Sequence, residues 1–168
     1  MLPISINPDM VRIGLAGSGE GQARREALLA ESGVEAVSVA AESSDAALHC
    51  LSVLFIAGLE RAAAAELARR ARAGGVLVNV EDVPELCDFN VPAVVRRGAL
   101  LLTVSTGGRA PGLARRLREW LQGRFGPEWD RHLETIGTAR AGWRSEGLPP
   151  DEVSRRTRTL VEQKGWLT

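Results

Sequence analysis

Cysteine is scarce in this chain. Cys50 and Cys87 are the only two, too few and too far apart for a disulfide framework or a Cys-x-x-Cys metal site, so a reducing, cytoplasmic setting is expected. Lysine is scarcer still: 20 of the 21 basic residues are arginine and only Lys164 is lysine. Net charge is missing too, since 21 basic residues meet 21 acidic ones. That balance speaks against a nucleic-acid or membrane-surface partner. Long apolar runs are absent; the longest strictly apolar stretch is Val53 to Ala57, far short of the ~20 residues that cross a bilayer. The opening Met1-Leu2-Pro3 has no basic region before Arg12, so no secretory signal is expected. What is present is globular: 45% hydrophobic and 25% charged residues in a length of 168, suited to one domain or one and a half.

Regional counting recovers what the total charge conceals. Residues 1–95 hold 7 arginines and 13 acids, residues 96–124 hold 7 arginines and the single acid Glu119, and residues 125–168 hold 7 of each sign. The middle block is a concentrated positive field suited to a polyanionic small molecule. Arginine's planar fork pairs with carboxylates in bidentate fashion, which lysine does not. A solvated helix face is the plainer alternative for Arg118 and Arg124 in particular.

The first half alternates short apolar runs with alanine- and arginine-rich stretches. Val11 to Ala16 ends at Gly17-Ser18-Gly19-Glu20-Gly21-Gln22; a helical stretch follows from Ala23 to Ser32, with Gly33 just past its end; and Val34 to Ala41 reads as a second strand. Strand, glycine turn, helix and strand open a dinucleotide-binding unit. Gly17 and Gly19 fill the first two places of G-x-G-x-x-G; the third place is Gln22, and the spare Gly21 offers a shifted turn. Glu42, 20 residues after Gln22, is placed to accept a ribose hydroxyl. A structural turn and a surface acid remain the alternatives for these two features.

Two further strands, Val53 to Ala57 and Val76 to Val80, bracket a helix from Arg61 to Arg72 closed by Gly74-Gly75. Leu100 to Val104 reads as a fifth strand. The pattern predicts an α/β fold with a Rossmann-like parallel sheet. Ligands of such sheets bind beyond the carboxyl ends of the strands. There Gly17 to Gly21, Gly58, Asn79-Val80, Glu81-Asp82 and Ser105 to Gly108 are expected to converge. Glu81 and Asp82, alternating along a strand, are expected to face opposite sides.

Ser105-Thr106-Gly107-Gly108-Arg109-Ala110-Pro111 leads into a helix from Gly112 to Gln122. Two hydroxyls, two glycines and a helix start make a ready anion site; a simple strand–helix connection is the alternative. Beyond Gly126 the chain reads as helical, with Gly126-Pro127-Glu128 and Pro149-Pro150-Asp151-Glu152 as helix starts. All four tryptophans, Trp120, Trp129, Trp143 and Trp166, lie in this last part. A helical tail of this size rarely builds a sufficient core alone, which favours a homodimer. His49 and His132 are isolated, His132 reading as a surface helix residue and His49 as loop or core, and no metal-ligand spacing is present.

Two segments carry a family resemblance. They are Val78-Asn79-Val80-Glu81-Asp82-Val83-Pro84-Glu85-Leu86-Cys87-Asp88-Phe89 with Val91-Pro92-Ala93-Val94-Val95-Arg96-Arg97-Gly98, and Thr103-Val104-Ser105-Thr106-Gly107-Gly108-Arg109-Ala110-Pro111-Gly112-Leu113-Ala114-Arg115-Arg116-Leu117-Arg118. Both resemble the precorrin-2 dehydrogenase/sirohydrochlorin ferrochelatase family, the N-terminal part of siroheme synthases. The resemblance implies NAD-dependent oxidation of precorrin-2 to sirohydrochlorin in siroheme (porphyrin-type) biosynthesis. In many members it also implies insertion of ferrous iron, a lyase step. It implies a homodimer formed through the helical C-terminal part. A dinucleotide-binding domain over residues 1–110 and a helical dimerisation and substrate-binding region over 111–168 are expected. Asp82 falls on the family's essential aspartate and Thr106 on a hydroxyl of its Ser/Thr-Gly-Gly loop. Cofactor contacts fall to Gly17, Ser18, Gly19, Glu20, Gly21, Glu42, Gly58, Asn79 and Val80. Arg96, Arg97, Ser105, Thr106, Gly107, Gly108 and Arg109 are the candidates for the tetrapyrrole's carboxylates. No protein metal site is implied, since the ring nitrogens are the final ligands of iron. Asp82, Cys87 and Asp88 are candidates for transient contacts with it, and Cys87 also reads as a small buried hydrophobe.

The departures from the family pattern fall on the cofactor half. Gln22 holds the third glycine place, Ala57-Gly58-Leu59-Glu60 stands where the family usually has an Ala-Thr-Asp motif, and the stretch between Glu42 and Val53 reads as too short for its helix and strand. Two further functions therefore stay open: a chelatase or tetrapyrrole carrier without NAD, and a non-enzymatic nucleotide-sensing module.

Overall fold

The computed structural model describes residues 2–167; Met1 and Thr168, the outer ends of the two expected domains, lie outside it. Two compact units divide between Val91 and Pro92.

The first unit runs β1 (Ile13–Gly17), α1 (Gly19–Ala30), β2 (Val37–Val39), α2 (Asp45–His49), β3 (Val53–Ala57), α3 (Arg61–Ala73) and β4 (Leu77–Val80). The strands form one parallel sheet in the order β2-β1-β3-β4. The α/β expectation holds, with corrections at several edges. The strand expected from Val34 shrinks to three residues. α1 begins at Gly19, directly behind the glycine turn, rather than at Ala23. The stretch 42–53 does contain a helix, the short α2, started by the Ser44 hydroxyl accepting the Ala47 N–H at 3.3 Å.

β3 is buried along its whole length because strands flank it on both sides and helices cover both faces. Its run of branched and aromatic residues suits that double burial. On one face, Leu54 and Ile56 pack with Ala64, Leu67, Ala68 and Ala71 of α3 and with Leu48 of α2. The alanines of α3 let that helix lie close. On the other face, Val53 and Phe55 pack with Leu15 and Leu29, and Phe89 meets Phe55 edge-on at 5.5 Å. α3 ends where Val76 N–H reaches Ala71 C=O at 3.2 Å and Gly75 N–H reaches Arg72 C=O at 2.9 Å, a hydrogen-bonded stop.

The second unit holds β5 (Ala93–Arg97), β6 (Leu100–Val104), α4 (Pro111–Arg124), α5 (Trp129–Ser145) and α6 (Pro150–Gln163). Leu100–Val104 is not a fifth strand of the parallel sheet: it pairs antiparallel with β5. The reason is local. Gly98, with φ 55°, opens a two-residue hairpin turn, and a tight turn returns the chain beside the strand it has just left. The unit boundary thus falls ahead of the 110/111 division expected from function. Among the described residues, Val95 and Val153 are this unit's only fully buried apolar side chains. No described helix is long and apolar enough to cross a membrane.

Candidate functional site

In the order β2-β1-β3-β4 the chain goes to one side after β1 and to the other after β3, so the loops leaving these two strands diverge at a topological switch point. Here those loops are stitched together. Ser18 N–H donates to Ala57 C=O at 3.2 Å and the Ser18 hydroxyl donates to Gly58 C=O at 3.0 Å. Two side chains must be absent for this approach. A Cβ on Gly17 (φ 148°) would lie 1.7 Å from the Ala57 carbonyl oxygen, and one on Gly58 (φ 71°) 2.0 Å from that of Ser18.

Ser18 occupies the N-cap position of α1 yet spends its hydroxyl on Gly58, so its side chain does not cap the first turn of the helix. Its amides and the positive end of its dipole are left for an anion. A Cβ on Gly19 would meet nothing within 4 Å, so the backbone there is open to a ligand. Gln22 is half-buried, and the close-packing place belongs to Gly21 instead: a Cβ there would lie 2.4 Å from Glu81 Oε2 and 3.2 Å from Gly58 N. The glycine pattern has shifted by one residue. Glu20 is exposed and faces Arg24 at 3.7 Å. Glu42 is exposed in the turn beyond β2, on the same sheet edge. An open Gly19, uncapped α1 amides and an acid beyond β2 suit a dinucleotide.

β4 ends at this edge too. Asn79 is buried, donating its amide to Phe89 C=O at 2.9 Å, while its Oδ1 has no partner. Val80 is buried and bound on both backbone groups by Cys87. Glu81 and Asp82 are not alternating strand residues. They form the turn closed by Val83 N–H to Val80 C=O at 3.4 Å. Asp82 has φ 59°, the only positive φ on a described non-glycine residue. A turn of this kind favours glycine or asparagine at that place, and aspartate adopts the left-handed conformation more readily than most side chains. Asp82 is exposed, whereas Glu81 is turned inward with its side chain 18% exposed.

Cys87 braces this turn from behind. Its sulfur accepts from Val80 N–H at 3.3 Å and Asn79 Nδ2 at 3.5 Å, and its thiol faces the carbonyls of Val80 at 3.1 Å and Val83 at 3.4 Å. It is a half-buried polar clasp rather than a plain hydrophobe. Asp88 is engaged as well: it accepts from Val78 N–H at 2.8 Å and pairs with Arg72 at 2.9 Å.

Arg25 was not singled out from the sequence. It shares a face of α1 with the buried Gly21 and Leu29, and its guanidinium lies 5.2 Å from the Phe55 ring centre. Burial lowers its pKa below the usual arginine value, an effect that Glu81, Cys87 and Asp82 oppose and Arg24 reinforces. The i, i+4 spacing of Gly21, Arg25 and Leu29 was the signal that it faces the sheet.

In the second unit, the loop after β6 turns its hydroxyls on itself. The Ser105 hydroxyl accepts Gly107 N–H at 3.2 Å, and the Thr106 hydroxyl accepts Ala110 N–H at 3.2 Å. Gly107 and Gly108 both have positive φ, and α4 starts at Pro111 without a side-chain cap. Arg96 and Arg109 are exposed. Arg97 instead directs its guanidinium to the carbonyls of Phe125 at 2.8 Å and Gln122 at 3.3 Å, closing the end of α4. Arg115 and Arg116 share Glu119 at 3.0 and 3.7 Å. His132 is not a free surface residue, for its ring stacks on Trp166 at 4.1 Å and meets Trp129 edge-on.

Comparison with known proteins agrees with this geometry. A family model described as "Putative NAD(P)-binding" matches residues 4–93. The chain is 36% identical over 138 residues to a siroheme synthase of Methylococcus capsulatus, covering 70% of this chain and 29% of that protein. It is 37% identical over 150 residues to one of Azotobacter vinelandii, covering 74% and 32% respectively. It thus spans about a third of the length of these relatives. A solved structure titled "SirC, precorrin-2 dehydrogenase" superposes with a TM-score of 0.76 at 16% identity, over 100% of this chain and 93% of that one.

Proposed function

The chain belongs to the precorrin-2 dehydrogenase/sirohydrochlorin ferrochelatase family, and from that membership we propose that it oxidises precorrin-2 to sirohydrochlorin with NAD in siroheme biosynthesis. The observation that carries this reading is the switch point: two loops joined through Ser18 and Gly58, with the strained Asp82 turn on the same sheet edge.

The roles follow from the placements. Gly17, Gly19 and Gly58 bring backbone to the cofactor, the uncapped start of α1 takes its diphosphate, and Glu42 takes a ribose hydroxyl. NAD held by these residues would supply the hydride acceptor for the oxidation. Asp82, exposed at the rim, takes a proton as the ring is oxidised; such a base contributes about 10²–10⁴-fold. Asn79 and Val80 hold the rim that carries it. Arg96, Arg109 and the Ser105–Gly108 loop bind acetate and propionate arms, and Arg97 fixes the end of α4 beside that group. Ferrous iron is a further substrate of this proposal, taken up by the ring nitrogens.

We assign residues 1–110 to the dinucleotide-binding domain, whose last stretch from Arg96 adds substrate contacts, and residues 111–168 to dimerisation and further substrate binding. Leu113, Leu117 and Trp120 support a homodimer. They recur at i, i+4 and i+7 along α4 and are 53%, 40% and 61% exposed, an apolar stripe that a second copy covers.

The test is an anaerobic absorbance assay of precorrin-2 with NAD, with and without ferrous iron. Reduced nicotinamide and sirohydrochlorin should appear together, and iron should carry the product on to siroheme. No consumption of precorrin-2 in the presence of NAD or NADP overturns the reading. Calorimetry then separates the remaining functions: sirohydrochlorin alone binding marks a chelatase or carrier, nucleotide alone a sensing module.

A further inference from the structure

Glu81 stands where three rim elements meet. Its backbone N–H donates to Ile56 C=O at 2.9 Å, which fixes it beside the end of β3. Its carboxylate turns toward α1, with Oε2 3.6 Å from Arg24 Nη2 and 2.4 Å from the point that a Cβ on Gly21 would fill. The same point is 3.2 Å from Gly58 N. A half-buried negative charge therefore lies against the third residue of α1, in the positive field of an uncapped helix start. That field and Arg24 make the charge tolerable.

A dinucleotide's diphosphate calls on the same field. We propose that Glu81 weakens the hold of this edge on NAD, so that the cofactor binds loosely and exchanges freely. The inference rests on the NAD-dependent reading above and adds the residue that sets its affinity. Glu81 and the diphosphate are like charges sharing one helix start, and their repulsion across a partly desolvated edge opposes binding. Gly21 belongs to the same device, since any side chain there would displace the carboxylate.

The experiment is calorimetric titration of NAD into the wild-type chain, Glu81→Gln and Glu81→Ala, each checked for an unchanged melting transition. Glu85→Gln serves as control, because Glu85 is an exposed acid on the following segment, paired with Arg61. The expected result is about tenfold tighter NAD binding for both Glu81 variants, a gain that shrinks in high salt, and an unchanged affinity for Glu85→Gln. A wild type that binds NAD no more weakly than the Glu81 variants overturns the inference and leaves the NAD reading standing. Failure of all four proteins to bind NAD or NADP overturns the NAD reading itself, and the inference with it.

Discussion

Ser18 and Gly58 exclude each other's freedom: the Ser18 hydroxyl reaches the Gly58 carbonyl at 3.0 Å, and a Cβ on Gly58 would lie 2.0 Å from the Ser18 carbonyl oxygen. Gly58→Ala must open this contact and also hold alanine at a φ of 71°. A loss of about 2–4 kcal/mol is expected. Urea unfolding of the variant measures it, and an unshifted midpoint would show that the two loops part without cost.

Asp82→Asn should leave the fold intact, because asparagine tolerates a positive φ. Turnover of precorrin-2 should fall by about 10²–10⁴-fold with the melting temperature unchanged. Turnover like the wild type would remove Asp82 from the reaction.

Cys87→Ala deprives Val80 N–H and Asn79 Nδ2 of their sulfur acceptor. A cost of about 1–3 kcal/mol is expected, chiefly for the Val80 N–H left unpaired at a half-buried site, since Asn79 Nδ2 keeps Phe89 C=O. Cys87→Ser, which keeps a donor and an acceptor, should recover most of it. Equal losses for the two variants in thermal denaturation would mean that sulfur packing, not hydrogen bonding, holds the turn.

On α4, Trp120→Glu places a charge in the exposed stripe with Leu113 and Leu117. If that stripe is the dimer contact, sedimentation should show a monomer where the wild type sediments as a dimer. A dimer that survives the change places the contact elsewhere.

Hydrogen bonds from Arg155 and then Arg156 hold the Glu152 carboxyl at about 2, against 4.5 for an ordinary glutamate. A depressed folded value stabilises above the unfolded one, so this contribution is complete above pH ~4.5 and is lost as pH falls through about 2. Glu152 is half-buried at the surface, its side chain 25% exposed, and solvent screening keeps the effect small. Glu152→Gln should therefore melt slightly below the wild type at neutral pH, and the two curves should merge near pH 2. A constant gap across that window would locate the effect in side-chain shape rather than charge.

Much of the first unit was legible in the chain itself. Apolar runs separated by a helical stretch of about a turn-count length encode a parallel sheet, because local periodicity decides which residues can share a face. Gly17 and Gly19 were readable for the same reason: a tight turn needs its glycines at fixed offsets. The structure decided three things that this pattern left open. Gly21 took the packing place that the pattern gave to Gln22, because Glu81 and Gly58, distant in sequence, lie against it. Asp82 took a left-handed conformation in a turn whose flanks, Val80 and Val83, face the Cys87 sulfur. Leu100–Val104 left the parallel sheet, since its hydrogen bonds were already claimed by the strand just before it. Spacing along a chain states which groups are available, whereas contact between distant segments determines which of them meet, and the chemistry of this edge depends on the meeting.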